Sequence, residues 1–205
     1  MLILGIWATM IFVAGARVWV LLGLGGVVGV GAGIAYHSSE HFARRIDMYL
    51  AEGVDPHTQL AYAQSAIQEG GLFGVGAAQG QVKWSLPDAH TDFIIAVAAE
   101  EFGLIFTCLI IGLYLFIVVR ALTRLGEETG LFVRLAGAGL AVLIGMQAFV
   151  NMSVAIRLLP AKGMTLPFIS YGGSSMLAAS LAMGILLALT RTRPHDGAAA
   201  VRRSL

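Results

Sequence analysis

Charge is scarce in this chain. Asp, Glu, Lys and Arg make up 12% of its 205 residues, whereas a soluble domain carries about a quarter. With 58% hydrophobic residues and a mean hydropathy of +0.82, the composition points to a bilayer as the main solvent. The single cysteine, Cys108, excludes an internal disulfide, and its place inside an apolar run suggests inert packing. A formal net charge of +1 excludes the strongly basic footprint of a nucleic-acid-binding protein, and no nucleic-acid motif is present. His37, His41 and His57 lack compact ligand spacing, so no protein-built metal site is expected. No basic residue precedes the first apolar run, so its Ala14-Gly15-Ala16 ending is not read as a secretory cleavage site.

Long apolar runs are what the chain has in abundance. A membrane span needs roughly 20 apolar residues. Five candidates follow: Met1–Ala16, Val18–Tyr36, Phe93–Val119, Leu135–Ile156 and Phe168–Thr190. The expected fold is an all-α polytopic membrane protein, a single integral membrane domain over residues 1–205. Its features are a long external loop (37–92) with short helices, a broken external loop (157–175) and a cytoplasmic tail (191–205). The orientation comes from the basic residues. With the carboxyl terminus in the cytoplasm, eight of them fall inside: Arg17, Arg120, Arg124, Arg134, Arg191, Arg193, Arg202 and Arg203. Five fall outside: Arg44, Arg45, Lys83, Arg157 and Lys162.

Small residues recur every fourth position at Gly25, Gly29 and Gly33, and again at Gly137, Ala141 and Gly145, the pattern of closely packed membrane helices. The external loop is too long to be an idle connection. Within it, Ala61–Ile67 reads as helix, stopped by Gly70-Gly71. The run Gly70-Gly71-Leu72-Phe73-Gly74-Val75-Gly76 lacks a preceding strand and a following Gly-Lys-Ser/Thr, so it reads as a tight backbone turn rather than a nucleotide loop.

Leu86-Pro87-Asp88-Ala89-His90-Thr91-Asp92-Phe93 sets a carboxylate at the mouth of the third span, where an acid is costly unless paired or wetted. Thr91 or Asp92 could cap the following helix. The neighbouring His90, the approach fixed by Pro87, and Glu100 and Glu101 further on favour a chemical role for Asp92 as a general base. Glu100 lies about 80° around the helix from Asp92, so a paired-carboxylate mechanism is not supported. Glu100 and Glu101 are expected to serve structure, binding backbone amides or a basic residue. The loop from Leu159 to Ser175 breaks helix with Pro160, Pro167 and three glycines, and such backbone at membrane depth must be buried by protein or line a wet cavity. Lys162, Arg44 and Arg45 are either anchors to lipid headgroups or a clamp on a lipid pyrophosphate. Lys162 could instead pair with Glu40.

In order along the chain, Gly70–Gly76, the Leu86–Phe93 motif, Glu100-Glu101-Phe102-Gly103, the Asn151-Met152 pair and Leu159–Ser175 resemble the SEDS family (shape, elongation, division and sporulation). The wording is nearest to its division members, with the elongation members as the near alternative. The resemblance implies a peptidoglycan glycosyltransferase that polymerises lipid II on the outer face of the bacterial inner membrane, at the division septum. It implies an all-helical fold, normally of ten spans, of which this chain would be the carboxyl-terminal half. It assigns the catalytic aspartate to Asp92, and substrate contacts to Lys162, Arg44 and Arg45. Gln59, His90, Ser170, Gly172 and Gly173, in or beside the motifs, complete the expected substrate-binding set. Implied partners are lipid II, undecaprenyl pyrophosphate-linked glycan, a class B penicillin-binding protein, other divisome proteins and membrane lipids, but no nucleic acid. No built-in cofactor is expected, though a divalent cation, Mg or Mn, could arrive with the pyrophosphate. A lipid-linked precursor flippase and a non-catalytic division scaffold are the competing readings.

Overall fold

The computed structural model describes residues 2–50, 59–86, 89–159 and 163–191. Among these, every regular element is a helix. In chain order they are α1 (Leu2–Val13), α2 (Val18–Ser38), α3 (Glu40–Leu50), α4 (Gln59–Gly70), α5 (Val82–Ser85), α6 (Ile94–Gly126), α7 (Leu131–Ala155) and α8 (Gly173–Thr190). Four of them, α2, α6, α7 and α8, are long and apolar enough to cross a membrane.

Of the boundaries that differ from the sequence reading, three have clear physical reasons. The first expected span is a 12-residue helix, about 18 Å long at 1.5 Å per residue and short of a 30 Å hydrocarbon core. The third runs on past Val119 to Gly126, because Arg120 and Arg124 end the apolar run without ending the helix. The last starts at Gly173 rather than Phe168, since Phe168 sits at φ 67°, outside helical space. Cys108 is exposed on α6 rather than packed.

The α6–α7 pair forms the centre, with α1 and α8 against α7 and α4 against α6. Ile95, Tyr114, Leu125, Ile144, Leu166 and Leu186 build one buried cluster, and Ala63, Ala66, Phe93, Ala96, Val150 and Val154 a second beneath α4. The small-residue stripe of α7 faces α6: a Cβ on Gly137 would stand 2.5 Å from Leu125 and one on Gly145 2.7 Å from Val118. Gly25, Gly29 and Gly33 on α2 meet no described atom within 4 Å of such a Cβ.

The feature that fixes the segment leading into α6 is a break in α6 itself. Gly103 sits at φ 82°, ψ 177°, a conformation essentially restricted to glycine. The break removes the ladder bonds from the N–H groups of Leu104 and Ile105 to the carbonyls of Glu100 and Glu101. The run Gly70–Gly76 supplies replacements for both sides. Leu104 N–H donates to Gly71 O (2.9 Å) and Ile105 N–H to Leu72 O (3.3 Å). Val75 N–H donates to Glu100 O (2.9 Å) and Gly76 N–H to Glu101 O (3.1 Å). These four displaced backbone groups each find a partner, as burial demands. The contact is so close that a Cβ on Gly70 would lie 1.9 Å from Ala99 O, and one on Gly103 2.4 Å from Leu72 O. The glycine-rich run is thus a backbone plug for a broken helix.

Candidate functional site

Glu100 and Glu101 extend the same clasp. Glu100 is 1% exposed, and its Oε1 accepts a bond from Val82 N–H at 2.9 Å. Glu101 forms an ion pair with Lys83, and both side chains are largely buried. The two acids therefore bind the start of α5 to α6, one through an amide and one through a cation. Lys83 is engaged here, within the clasp.

The turn that carries Asp92 precedes α6. Phe93 occupies the helix-capping position, and its side chain has no acceptor to offer; it is 1% exposed and anchors the turn in the second cluster. The backbone carbonyls of His90, Thr91 and Asp92 each accept a bond from a residue far along the chain. Tyr171 N–H donates to His90 O at 2.9 Å. Ser170 Oγ donates to Thr91 O at 2.5 Å and accepts from Leu166 N–H at 2.8 Å. Asn151 Nδ2 donates to Asp92 O at 2.9 Å and to Met164 O at 2.6 Å. Tyr114 Oη adds a bond to Pro167 O, fixing the broken loop to α6 as well. Gly163, at φ 63°, lies beside the acid: a Cβ there would be 3.5 Å from Asp92 Oδ2.

The predicted residues thus divide. Asp92, His90 and Ser170 come together, with the His90 ring edge-on to Tyr171 at 6.0 Å between centroids. Gly172 and Gly173 start α8 next to them, and Gly172 O accepts from Ser175 Oγ at 3.0 Å. Gln59 opens α4. Arg44 is not brought to this cluster: α3 packs only on α2 among the described elements, and Arg44 pairs with Glu40 at 3.1 Å on an exposed surface. Lys162 lies outside the described residues, as does the side chain of Arg45. Glu40 has its partner in Arg44. Among the described residues, no three His, Cys, Asp or Glu side chains are grouped to hold a metal ion.

Asn151 is the residue that sequence reasoning passed over, naming it only as part of a motif. Its signal was available: an amide within an apolar helix, here near its carboxyl-terminal end, is expensive and calls for a partner.

A set of membrane-length helices, one of them broken and plugged by the glycine-rich run 70–76, with a folded-back loop gripping an acid-bearing turn, defines a multi-pass membrane protein with its candidate chemistry at one end of the spans. The particular family follows from comparison. The chain belongs to the FtsW/RodA/SpoVE family of cell cycle proteins, which its residues 1–195 match. It is 48% identical over 184 residues to the probable peptidoglycan glycosyltransferase FtsW of Caulobacter vibrioides, covering 89% of this chain and 47% of that protein. Its identity to the protein of the same name in Methylococcus capsulatus is 41% over 184 residues, covering 86% and 46%. The fold is similar to that of a solved chain from a peptidoglycan synthase complex that coordinates polymerization and crosslinking, with a TM-score of 0.72 at 28% identity, covering 91% of this chain and 53% of that one. The chain spans about half the length of the curated relatives it matches.

Proposed function

We propose that this chain forms the catalytic wall of a peptidoglycan glycosyltransferase that polymerises lipid II, with Asp92 as general base. The observation that carries the reading is the grip on the Asp92 turn. Three successive carbonyls are held from α7 and the broken loop, so the carboxylate starts from a fixed backbone beside Gly163. Pre-set geometry of this kind is what a proton acceptor needs.

In the reaction, Asp92 takes the proton from the 4-hydroxyl of the acceptor sugar as that oxygen attacks the donor's anomeric carbon. The bond to undecaprenyl pyrophosphate breaks and its oxygen keeps the electron pair. Attack opposite an α-linked leaving group gives a β-linked product with inversion. Lys162 is the cation proposed to meet the pyrophosphate at this turn, with Gln59, His90, Ser170, Gly172 and Gly173 shaping the surrounding pocket; Arg44 and Arg45, on α3 away from the turn, are proposed to contact the lipid-linked substrate at the membrane surface. A Mg or Mn ion brought with the substrate would neutralise phosphate charge, held mainly by phosphate oxygens.

The proposed setting is the outer face of the bacterial inner membrane at the septum, carboxyl terminus inside, alongside a class B penicillin-binding protein and other divisome proteins. The test is glycan polymerisation from lipid II by the protein in its complex. General-base help is worth about 100- to 10,000-fold, so Asp92→Asn should lose at least the lower figure. Normal polymerisation by Asp92→Asn would sink the assignment and leave the flippase or scaffold readings.

A further inference from the structure

We infer that Asn151 is a positioning residue for the reaction, setting the Asp92 carboxylate against the loop segment that begins at Gly163. The inference rests on the glycosyltransferase reading and deepens it. Asn151 is 1% exposed and projects from α7, the best-buried of the membrane-length helices. Its one amide nitrogen uses both hydrogens, one on the carbonyl of Asp92 and one on the carbonyl of Met164. These two carbonyls belong to segments 72 residues apart in sequence, and no other described side chain donates to both.

The bridge has a geometric consequence. Gly163 precedes Met164, and its α-carbon is the atom a Cβ of which would stand 3.5 Å from Asp92 Oδ2. Fixing Met164 O and Asp92 O to one nitrogen therefore fixes the gap between the acid and the loop that faces it. Ser170 ties the same two segments one residue further back, through Thr91 O and Leu166 N–H. Ser170 bonds the residue before Asp92, however, whereas Asn151 bonds Asp92 itself. The Oδ1 atom of Asn151 is buried with no protein partner. The two bonds of the nitrogen are what offset the cost of that buried oxygen.

Asn151 touches neither the carboxylate nor a reacting atom, so its removal should slow the chemical step and leave substrate affinity in place. Misplacement by about 1 Å costs roughly 100-fold in rate. The experiment measures kcat and KM for lipid II polymerisation by the full-length protein in its complex, with Asn151→Leu, Asn151→Asp and Asp92→Asn. Asn151→Leu removes both donors while keeping the branched side-chain skeleton; Asn151→Asp keeps the size and shape should the bulkier leucine variant fail to fold. The expected result is a kcat lower by roughly 10- to 100-fold, with KM within about threefold of the parent. A normal kcat in a folded Asn151 variant overturns the inference. So does a raised KM with kcat retained, which would make Asn151 part of substrate binding. The controls separate the two failures: an inactive Asp92→Asn beside a fully active Asn151→Leu defeats the positioning role alone, while an active Asp92→Asn defeats the general-base reading beneath it.

Discussion

Replacing Gly103 by alanine should undo the plug in α6. The perturbation has two parts. Gly103 sits at φ 82°, ψ 177°, and holding an alanine there costs about 1–3 kcal/mol. The new Cβ would also stand 2.4 Å from Leu72 O and 2.5 Å from Gly74 N. Both are backbone atoms of the plug, with no flexible end to swing aside. The run 70–76 must therefore lift, putting at risk the four bonds that join it to Glu100, Glu101, Leu104 and Ile105. Each is worth a net 0.5–1.5 kcal/mol or so, and partial loss with the strain gives a total of about 3–6 kcal/mol. The matched control is Gly112→Ala in the same helix, where a Cβ meets nothing within 4 Å. Alanine is favoured over glycine in a helix interior by up to about 1 kcal/mol, so that variant should be neutral or slightly more stable. The assay is thermal unfolding of both purified variants in detergent, with amide hydrogen exchange at residues 71–76. Equal melting temperatures and unchanged protection at Val75 and Gly76 would refute the reasoning.

Breaking the Lys83–Glu101 pair with Lys83→Met should cost about 3 kcal/mol, because a largely buried carboxylate loses its cation. Adding Glu101→Gln should recover much of that loss in the same melting assay, and a double variant no better than the single would count against the clasp. Ser170→Ala should destabilise by about 1–3 kcal/mol, since Leu166 N–H and Thr91 O both lose their partner; denaturant titration would measure it. The two glycine stripes should respond oppositely to alanine. Gly137→Ala forces a Cβ to 2.5 Å from Leu125 and should cost about 1–3 kcal/mol by overpacking, whereas Gly25→Ala meets nothing within 4 Å among the described residues and should be tolerated.

The membrane class, the helical content and the approximate spans were legible because hydrocarbon imposes length and composition on any sequence that crosses it. The glycine stop after α4 was legible too, and Gly71 takes the left-handed conformation expected of it at φ 54°. The length of α1 was not, because apolarity alone does not say where a helix stops short. The break at Gly103 was equally hidden. A glycine in an apolar run reads as packing until a second segment is seen to occupy the gap.

By itself the sequence marked Asp92 as an acid out of place and gave the motifs around it, since the cost of a carboxylate beside hydrocarbon depends only on what is adjacent in the chain. Only the tertiary structure decided what holds that acid. The carbonyls of His90, Thr91 and Asp92 are met by Tyr171, Ser170 and Asn151, residues 59 to 81 positions away. Hydrogen bonds at such separations leave no local periodicity. The fold alone also set Arg44 apart from the acid, by packing α3 on α2 and pairing Arg44 with Glu40, a separation that residue type and charge could not reveal.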